Sequence, residues 1–367
     1  MEELYDFTVS LITCSPGSEV WANYGHTALR IQDRSSGTDV TFNYGLFSFD
    51  TPHFIWRFCT GQTDYCVGAS ETKYFLQEYE RENRQVTEQV LDLPQQDKLM
   101  LWSSLVENCR PENRFYRYNF FYDNCATRVR MMVERSSSSA VRYDFDSPYS
   151  NLRDILNHYT ADYAWTGFGI SMLLGPEADS PASLRVQMFA PEIMQQAFAG
   201  ATVDGRPLVS GTTVLVPAGE RAPKAWIPSP QLTLWTVAVL VAAFTAYGVA
   251  RKKRLWGIDL ALSLVLGLMG SIIFFLTAFS SHPATSPNWL LIWINPLPLA
   301  YGILMCFGKW RESRAARWCS ALYLLPLSVG LAGFALKFQY FHPALIPLLL
   351  TVALRCGYNA LSIVRKA

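Results

Sequence analysis

The sequence predicts an α+β domain over residues 1–228, followed by an all-α membrane domain with five helices over residues 229–367. Two observations predict this division. Long apolar runs recur from Gln231 onward, whereas alternating and helical patterns are mixed before it. In addition, basic residues of the second part collect in clusters between the apolar runs. Because the two parts differ so much, the net charge of +1 for the whole chain says little about either.

The N-terminal domain contains both strand and helix patterns. Strands are predicted at residues 6–13, 27–32, 39–44 and 85–93, and helices at 72–84 and 95–108. The turn Arg34-Ser35-Ser36-Gly37 joins two of these strands and predicts a β-hairpin. Residues 199–226 carry Gly and Pro at intervals that indicate short strands leading to the membrane.

The membrane domain is predicted from runs of about 20 apolar residues, the length a helix needs to cross roughly 30 Å of hydrocarbon. The runs are 232–250, 255–279, 289–308, 319–336 and 343–364. Short cytoplasmic loops collect Lys and Arg. Basic clusters follow the first, third and fifth runs, at 251–254, 309–317 and 365–366. We therefore predict five crossings, with the N-terminus outside the cytoplasm and the C-terminus inside. The alternative, buried core helices of a soluble domain, does not explain this charge alternation.

Cys125 is the candidate nucleophile. It follows Asp123 and Asn124, which favour the N-cap position, and precedes a helical pattern over 126–134. The helix N-terminus lowers the pKa of a thiol there. The domain contains five cysteines: Cys14, Cys59, Cys66, Cys109 and Cys125. Because this number is odd, at least one of them is unpaired within the chain. A disulfide between Cys59 and Cys66, and a merely packed Cys125, are the open alternatives.

His26 is the candidate general base, because thiolate acyl transfer needs a base to take and return a proton. It follows Gly25 at the start of a predicted strand. A third group orients the imidazole in such sites. Asn43 is the candidate, since its strand pairs with that of His26 through the hairpin, and His53 and Asp123 are alternatives. A surface or core histidine is the alternative interpretation of His26.

Substrate-binding residues are predicted in two sets. Tyr24, Tyr44 and Tyr122 lie next to these motifs and indicate either an apolar acyl-chain groove or simply core. Arg114, Arg117 and Arg128 are candidates for holding a phosphate headgroup, or else form an exposed basic face. We expect no metal and no cofactor, because the domain has no CxxC pair and contains few histidines. We also expect no nucleic-acid partner.

Four segments carry a resemblance to a known family: LITCSPGSEVWANYGHTALRI, DVTFNYGLFSFD, RPENRFYRYNFFYDNCATRVR and GFGISMLLGPEAD. They resemble the Bacteroides-type lipoprotein N-acyltransferases and cover most of residues 5–200. An early-strand His followed later by Asn-Cys also resembles the permuted papain-like superfamily, which includes the lecithin:retinol acyltransferase-like enzymes. The chain departs from that second family after Asn124-Cys125, reading Ala-Thr-Arg instead of Glu-His-Phe, and it lacks that family's second histidine.

The resemblance implies a permuted papain-like cysteine acyltransferase domain facing the periplasm, on a multi-pass protein of the inner membrane. The implied reaction moves an acyl chain from a membrane phospholipid to the α-amino group of a diacylated lipoprotein, through a Cys125 thioester, and releases lysophospholipid. The alternatives are a membrane-anchored phospholipase or thioesterase, a cell-wall cysteine peptidase, and a noncatalytic lipid-binding scaffold.

Overall fold

A computed structural model of the chain describes residues 6–220 and 226–361. The described chain divides into two compact units. The first comprises 6–159, 180–220 and 281–283, and the second comprises 160–179, 226–280 and 284–361.

Strands occur in the first unit. In chain order they are β1 (Phe7–Cys14), β2 (His26–Asp33), β3 (Thr38–Leu46), β4 (Asp64–Glu71), β5 (Val86–Leu91), β6 (Phe115–Arg117), β7 (Val141–Arg142), β8 (Thr202–Val203), β9 (Arg206–Pro207) and β10 (Val209–Val216). Seven of them form an antiparallel sheet in the order β10-β5-β1-β2-β3-β4-β6, and β7, β8 and β9 form a smaller one.

Helices occur in both units. In chain order they are α1 (Phe54–Cys59), α2 (Thr72–Arg81), α3 (Gln95–Asn108), α4 (Cys125–Ser136), α5 (Leu152–Thr160), α6 (Ala164–Leu173), α7 (Leu184–Gln187), α8 (Pro191–Ala199), α9 (Pro230–Ala250), α10 (Trp256–Phe279), α11 (Leu297–Met305), α12 (Gly308–Arg311), α13 (Arg314–Leu336) and α14 (Leu345–Leu361).

The predicted elements of the N-terminal domain are confirmed. The hairpin is β2 and β3, the first and last predicted strands are β1 and β5, and the two helices are α2 and α3. Helix α2 ends at Arg81, earlier than predicted, because Asn83 adopts a left-handed φ of 55° that a helix cannot continue. Short strands β8 to β10 occupy the predicted region, and residues 221–225 of that prediction lie outside the described residues.

Strand β1 lies inside the larger sheet, between β5 and β2. Seven of its eight residues are buried. A strand covered on both faces is buried almost continuously, which explains its apolar composition. Ile12 and Cys14 pack with Phe75 and Tyr79 of α2 in one apolar cluster. This core fixes β1, and β1 in turn fixes the end of β2 from which His26 projects.

The second unit is helical. Within the described residues, α9, α10 and α13 are long and apolar enough to cross a membrane. The third predicted run does not form one long helix. It divides into a 3₁₀ turn (Trp289–Ile292) and α11, and Pro296 lies between them, where proline cannot continue a helix. The fifth predicted run contains the 17-residue α14. The number of five crossings therefore stays a prediction.

Residues 160–179 belong to the helical unit, although the predicted boundary placed them in the N-terminal domain. The reason is the packing of α6. Its Phe168 lies in an apolar cluster with Trp293 and Leu348, and Met172 packs against that cluster. Sequence patterns mark α6 as apolar but do not identify the core that its apolar side chains enter.

Candidate active site

Cys125 is the first residue of α4, and Asn124 caps that helix. The Asn124 carboxamide oxygen accepts hydrogen bonds from the backbone N–H groups of Ala126 and Thr127, at 3.0 and 2.9 Å. Its amide nitrogen donates to the carbonyls of Phe120 and Phe189, at 3.0 and 2.9 Å. Asn124 is thus held from both sides, and the half-buried Cys125 is fixed at the positive end of the helix dipole.

His26 is the first residue of β2 and pairs with Cys14 of β1. The preceding Gly25 has a φ of +81°, and a Cβ there would lie 2.7 Å from the Cys14 carbonyl oxygen. Only glycine therefore fits this turn without strain. The turn brings the imidazole to the start of the strand, where it forms a hydrogen bond with Cys125.

Asn43 completes the group. It pairs with Ala28 of β2, two residues from His26, and the period-two pattern of strands puts these side chains on one face. His26 Nε2 and Asn43 Oδ1 are 2.5 Å apart and share a hydrogen bond. Cys125, His26 and Asn43, the three predicted catalytic residues, thus form one hydrogen-bonded series. Their catalytic roles stay predictions.

The electrostatics of the pair favour a thiolate and an imidazolium. Burial raises the pKa of Cys125, but the charge and hydrogen bond of His26, with the N–H groups of Thr27 and Ala126, outweigh burial and lower it. Burial lowers the pKa of His26, but the Cys125 charge and the hydrogen bonds with Cys125 and Asn43 raise it overall. Because each group stabilises the charge of the other, the pair titrates as a unit.

Gly45 and Tyr116 also lie beside Cys125, and neither was among the predicted site residues. Gly45 has a φ of +91°, and a Cβ there would lie 3.6 Å from Cys125 Cβ and 4.0 Å from the Tyr116 hydroxyl. Tyr116 is 8% exposed, and its hydroxyl is buried with no hydrogen-bond partner among the described residues. Burial and the charge on Cys125 raise its pKa, so the phenol stays protonated and able to donate. The sequence signal for Gly45 was its place in the Asn-Tyr-Gly motif, whereas Tyr116 had none beyond an aromatic-rich stretch.

The predicted tyrosines occupy different environments. Tyr24 packs its ring on Phe120, with centroids 4.9 Å apart. Tyr44 is 1% exposed and its hydroxyl donates to Asn108 at 3.0 Å, which puts it in the domain interior. Tyr122 is 46% exposed. Their substrate-binding roles stay predictions.

The predicted arginines are partly engaged within the protein. Arg117 Nε donates to Asp64 at 2.7 Å, and Arg128 donates to Asp123, with 2.6 Å between Nη2 and Oδ2. The Arg128 guanidinium also covers the Tyr116 ring at 4.2 Å. Arg114 is exposed. A headgroup role for these three stays a prediction.

The remaining candidates lie in less suitable environments. His53, an alternative orienting residue, is exposed at the start of α1, and Asp123 accepts from Arg128. All eight cysteines are free thiols, including Cys59 and Cys66. Cys14 is 1% exposed, and burial raises its pKa, as expected for a packed, inert thiol. Within 6–220 and 226–361, no group of three or more His, Cys, Asp or Glu side chains is arranged to hold a metal.

Comparison with protein families gives two matches. The Lnb N-terminal periplasmic domain matches residues 3–158, and the Lnb transmembrane domain matches residues 222–367. The first match contains all three residues of the hydrogen-bonded series. Comparison with curated proteins and with solved structures finds no match.

Proposed function

The chain belongs to the Lnb family, and on this premise we propose that it moves an acyl chain from a membrane phospholipid to the α-amino group of a lipoprotein's N-terminal diacylglyceryl-cysteine. Family membership makes it a membrane protein with a periplasmic domain of the Lnb type. The observation that carries the proposal is the hydrogen-bonded series of Cys125, His26 and Asn43 on that periplasmic domain.

The first half-reaction forms a thioester. The Cys125 thiolate attacks the ester carbonyl carbon of the phospholipid, and the C=O electron pair moves to oxygen. When the tetrahedral intermediate collapses, the C–O bond to glycerol breaks. The imidazolium of His26 gives its proton to the leaving glycerol oxygen, so lysophospholipid departs as an alcohol. Asn43 holds Nε2 of His26, which leaves Nδ1 to exchange the proton.

The second half-reaction forms the amide. The lipoprotein amine attacks the thioester carbonyl, and neutral His26 takes a proton from the attacking nitrogen. The C–S bond then breaks and restores the thiolate beside a protonated imidazole. Because the acyl group leaves one substrate before joining the other, the proposal requires ping-pong kinetics.

Two kinds of donor are available to the oxyanion of both intermediates. The backbone N–H of Cys125 lies at the start of α4, where the helix dipole favours an oxyanion. The Tyr116 hydroxyl is the second donor, since it is buried, protonated and otherwise unpaired in the described structure. An unpaired buried donor costs free energy in the resting protein, and a developing negative charge recovers that cost in the transition state.

Trapping the intermediate tests this proposal. Purified full-length protein is incubated in nanodiscs with phospholipid, without an acceptor, and Cys125 is examined by peptide mass spectrometry. We expect an added acyl mass on Cys125 that disappears when a diacylated lipopeptide is added, with an equal amount of N-acylated product formed. Cys109→Ala is the matched control, because it removes another partly buried thiol of the same unit.

The outcomes separate the competing functions. An acyl-enzyme that releases free fatty acid and gives no amide would identify a hydrolase. Full N-acylation of lipoproteins by Cys125→Ala in cells would overturn the nucleophile assignment. Loss of the adduct in Cys109→Ala as well would show that the loss reports damage to the fold rather than chemistry at Cys125.

A further inference from the structure

A cavity of about 430 Å³ lies between helices of the second unit. Five helices line it: α10, α11, α12, α13 and α14. Lining residues include Leu262, Leu266, Leu297, Leu322, Val352 and Cys356. Its volume is within the range of small-molecule sites, and its walls are mainly apolar.

The cavity lies in the cytoplasmic half of the membrane domain. A periplasmic domain precedes α9, so α9 runs inward and α10 begins on the cytoplasmic side. Asp259, in the first turn of α10, lines the cavity. Cys319, near the start of α13, lines the same cavity, so α13 begins on the same side as α10.

Close packing elsewhere explains why the space remains open here. Gly270 of α10 abuts Asn295, and Gly330 of α13 abuts Trp293, so that a Cβ at either glycine would lie within 2.5 Å of another atom. These contacts bring the helices together in the periplasmic half. Toward the cytoplasm, Leu262, Leu322 and Tyr323 line the space between the helices, and Pro326, within α13, lies at the cavity wall.

Four polar groups of the wall have hydrogen-bond partners within the helical unit. Arg355 Nε and Nη2 each donate to the Asp259 carboxylate at 2.8 Å, and Arg355 Nη1 donates to Thr245 at 3.0 Å. The Tyr301 and Ser320 hydroxyls share a hydrogen bond of 2.9 Å. Since these charges and hydroxyls already have partners, the cavity suits a hydrocarbon chain better than a polar solute.

Arg254 is bonded to the short helix that carries Trp310, a residue of the cavity wall. Arg254 Nη1 donates to the carbonyl of Arg311 at 2.6 Å, and the neighbouring Trp310 lines the cavity. Arg254 Nε and Nη2 are buried with no hydrogen-bond partner among the described residues. A guanidinium edge without hydrogen-bond partners away from water costs folding free energy. Its two N–H donors match two oxygens of a phosphate.

We propose that the cavity and Arg254 bind one phospholipid of the cytoplasmic leaflet, with an acyl chain in the cavity and the phosphate on Arg254. The lipid is distinct from the acyl donor of the proposed reaction, which meets Cys125 on the periplasmic domain. It fills the space between helices and so stabilises the membrane domain.

Lipid retention in purified protein tests this site. Full-length protein is purified in mild detergent, and phospholipid per protein is measured by mass spectrometry for wild type and for two variants. Cys356→Phe fills the cavity, and Arg254→Gln removes the phosphate ligand. We expect each variant to lower retention about tenfold, because the first removes the space for the acyl chain and the second removes the charge-assisted hydrogen bonds to the phosphate.

Matched controls exist for both changes. Cys306→Phe adds the same bulk at an exposed position of the same unit, and Arg251→Gln removes the same charge from the same cluster. Both controls should retain lipid at the wild-type level. Equal retention in every variant would overturn the proposal, as would an equal loss in Arg251→Gln and Arg254→Gln.

Two further measurements use wild-type protein alone, so they do not require any variant to fold. A photoreactive phosphatidylglycerol with a diazirine in its acyl chain should crosslink to α10, α13 or α14 at cavity-lining residues, and crosslinks confined to α9 would contradict the site. In delipidated protein, phosphatidylglycerol should raise the melting temperature. An equal rise with inorganic phosphate would identify a free-anion site instead.

Discussion

Two pairs of interacting ionisable groups, Cys125 with His26 in the first unit and Asp259 with Arg355 in the second, differ in what surrounds them. In the first unit, Cys125 and His26 lie at the end of a sheet, and Cys125 is half-buried. In the second unit, Asp259 and Arg355 are 4% and 3% exposed and joined by two hydrogen bonds of 2.8 Å.

This comparison shows how a reactive pair of side chains differs from a structural one. Arg355 and Asp259 are held in one geometry, because both carboxylate oxygens and several guanidinium donors are bonded. Cys125 is only half-buried as a residue, and its proton partner is His26, whose pKa is raised overall against the effect of burial. A buried pair whose donors and acceptors are all hydrogen-bonded stabilises a fold. A titratable pair that is only partly buried is better suited to reaction.

The largest expected effect is that of His26→Gln, which removes the titratable partner and leaves a group of similar size. We expect acyl-enzyme formation to fall roughly 10³- to 10⁴-fold, as for loss of a base from comparable catalytic groups. The rate of Cys125 thioester formation, followed by mass spectrometry, measures this. A change of less than tenfold would show that His26 is not the base.

The same variant should shift a pH profile in a defined direction. The wild-type pKa of Cys125 is lowered, so its thiolate persists as pH falls, down to that lowered pKa. Without His26, burial dominates and raises the pKa. We therefore expect the iodoacetamide labelling profile of Cys125 to move to higher pH. An unmoved profile would contradict the thiolate–imidazolium pair.

Breaking the second pair should affect stability. Arg355→Met leaves the Asp259 carboxylate buried without its partner, and we expect a loss of about 3–5 kcal/mol. Unfolding in a denaturing detergent series measures it. The double variant Asp259→Leu/Arg355→Met leaves no lone charge and should recover most of the loss. Equal destabilisation of the single and double variants would contradict this account.

The smallest expected effect is that of Tyr116→Phe. Losing one oxyanion donor should lower acyl transfer about 100-fold with little change in substrate binding. Tyr65→Phe is the matched control, since Tyr65 pairs with Tyr116 across strands β4 and β6 and is equally 8% exposed. Parallel losses in the two variants would assign the effect to packing.

Much of the local structure followed from the sequence. The hairpin between β2 and β3 was predictable because a turn-forming Arg-Ser-Ser-Gly separates two alternating runs, and this hairpin aligns Asn43 with His26. The start of α4 was equally predictable, since Asn124 is a strong capping residue. The papain-like assignment of the domain stays a prediction.

Other features depended on contacts between distant segments. Tyr116 belongs to the short strand β6, which pairs with β4, and no pattern in its own segment identifies it as a neighbour of Cys125. The affiliation of α6 with the helical unit was missed for the same reason, because Phe168 finds its partners more than a hundred residues later.

The sequence by itself determined strands β1, β2, β3 and β5, the cap of α4 and the membrane-length helices α9, α10 and α13, because those depend on propensity, periodicity and apolar length within one stretch of chain. It also determined the candidate nucleophile and base. Only the tertiary structure decided that Cys125, His26 and Asn43 form one hydrogen-bonded series, that Tyr116 lies beside them, and that a cavity remains beside Arg355. Hydrogen bonds, pKa shifts and voids depend on distances between segments, and those distances are set by packing of the whole unit.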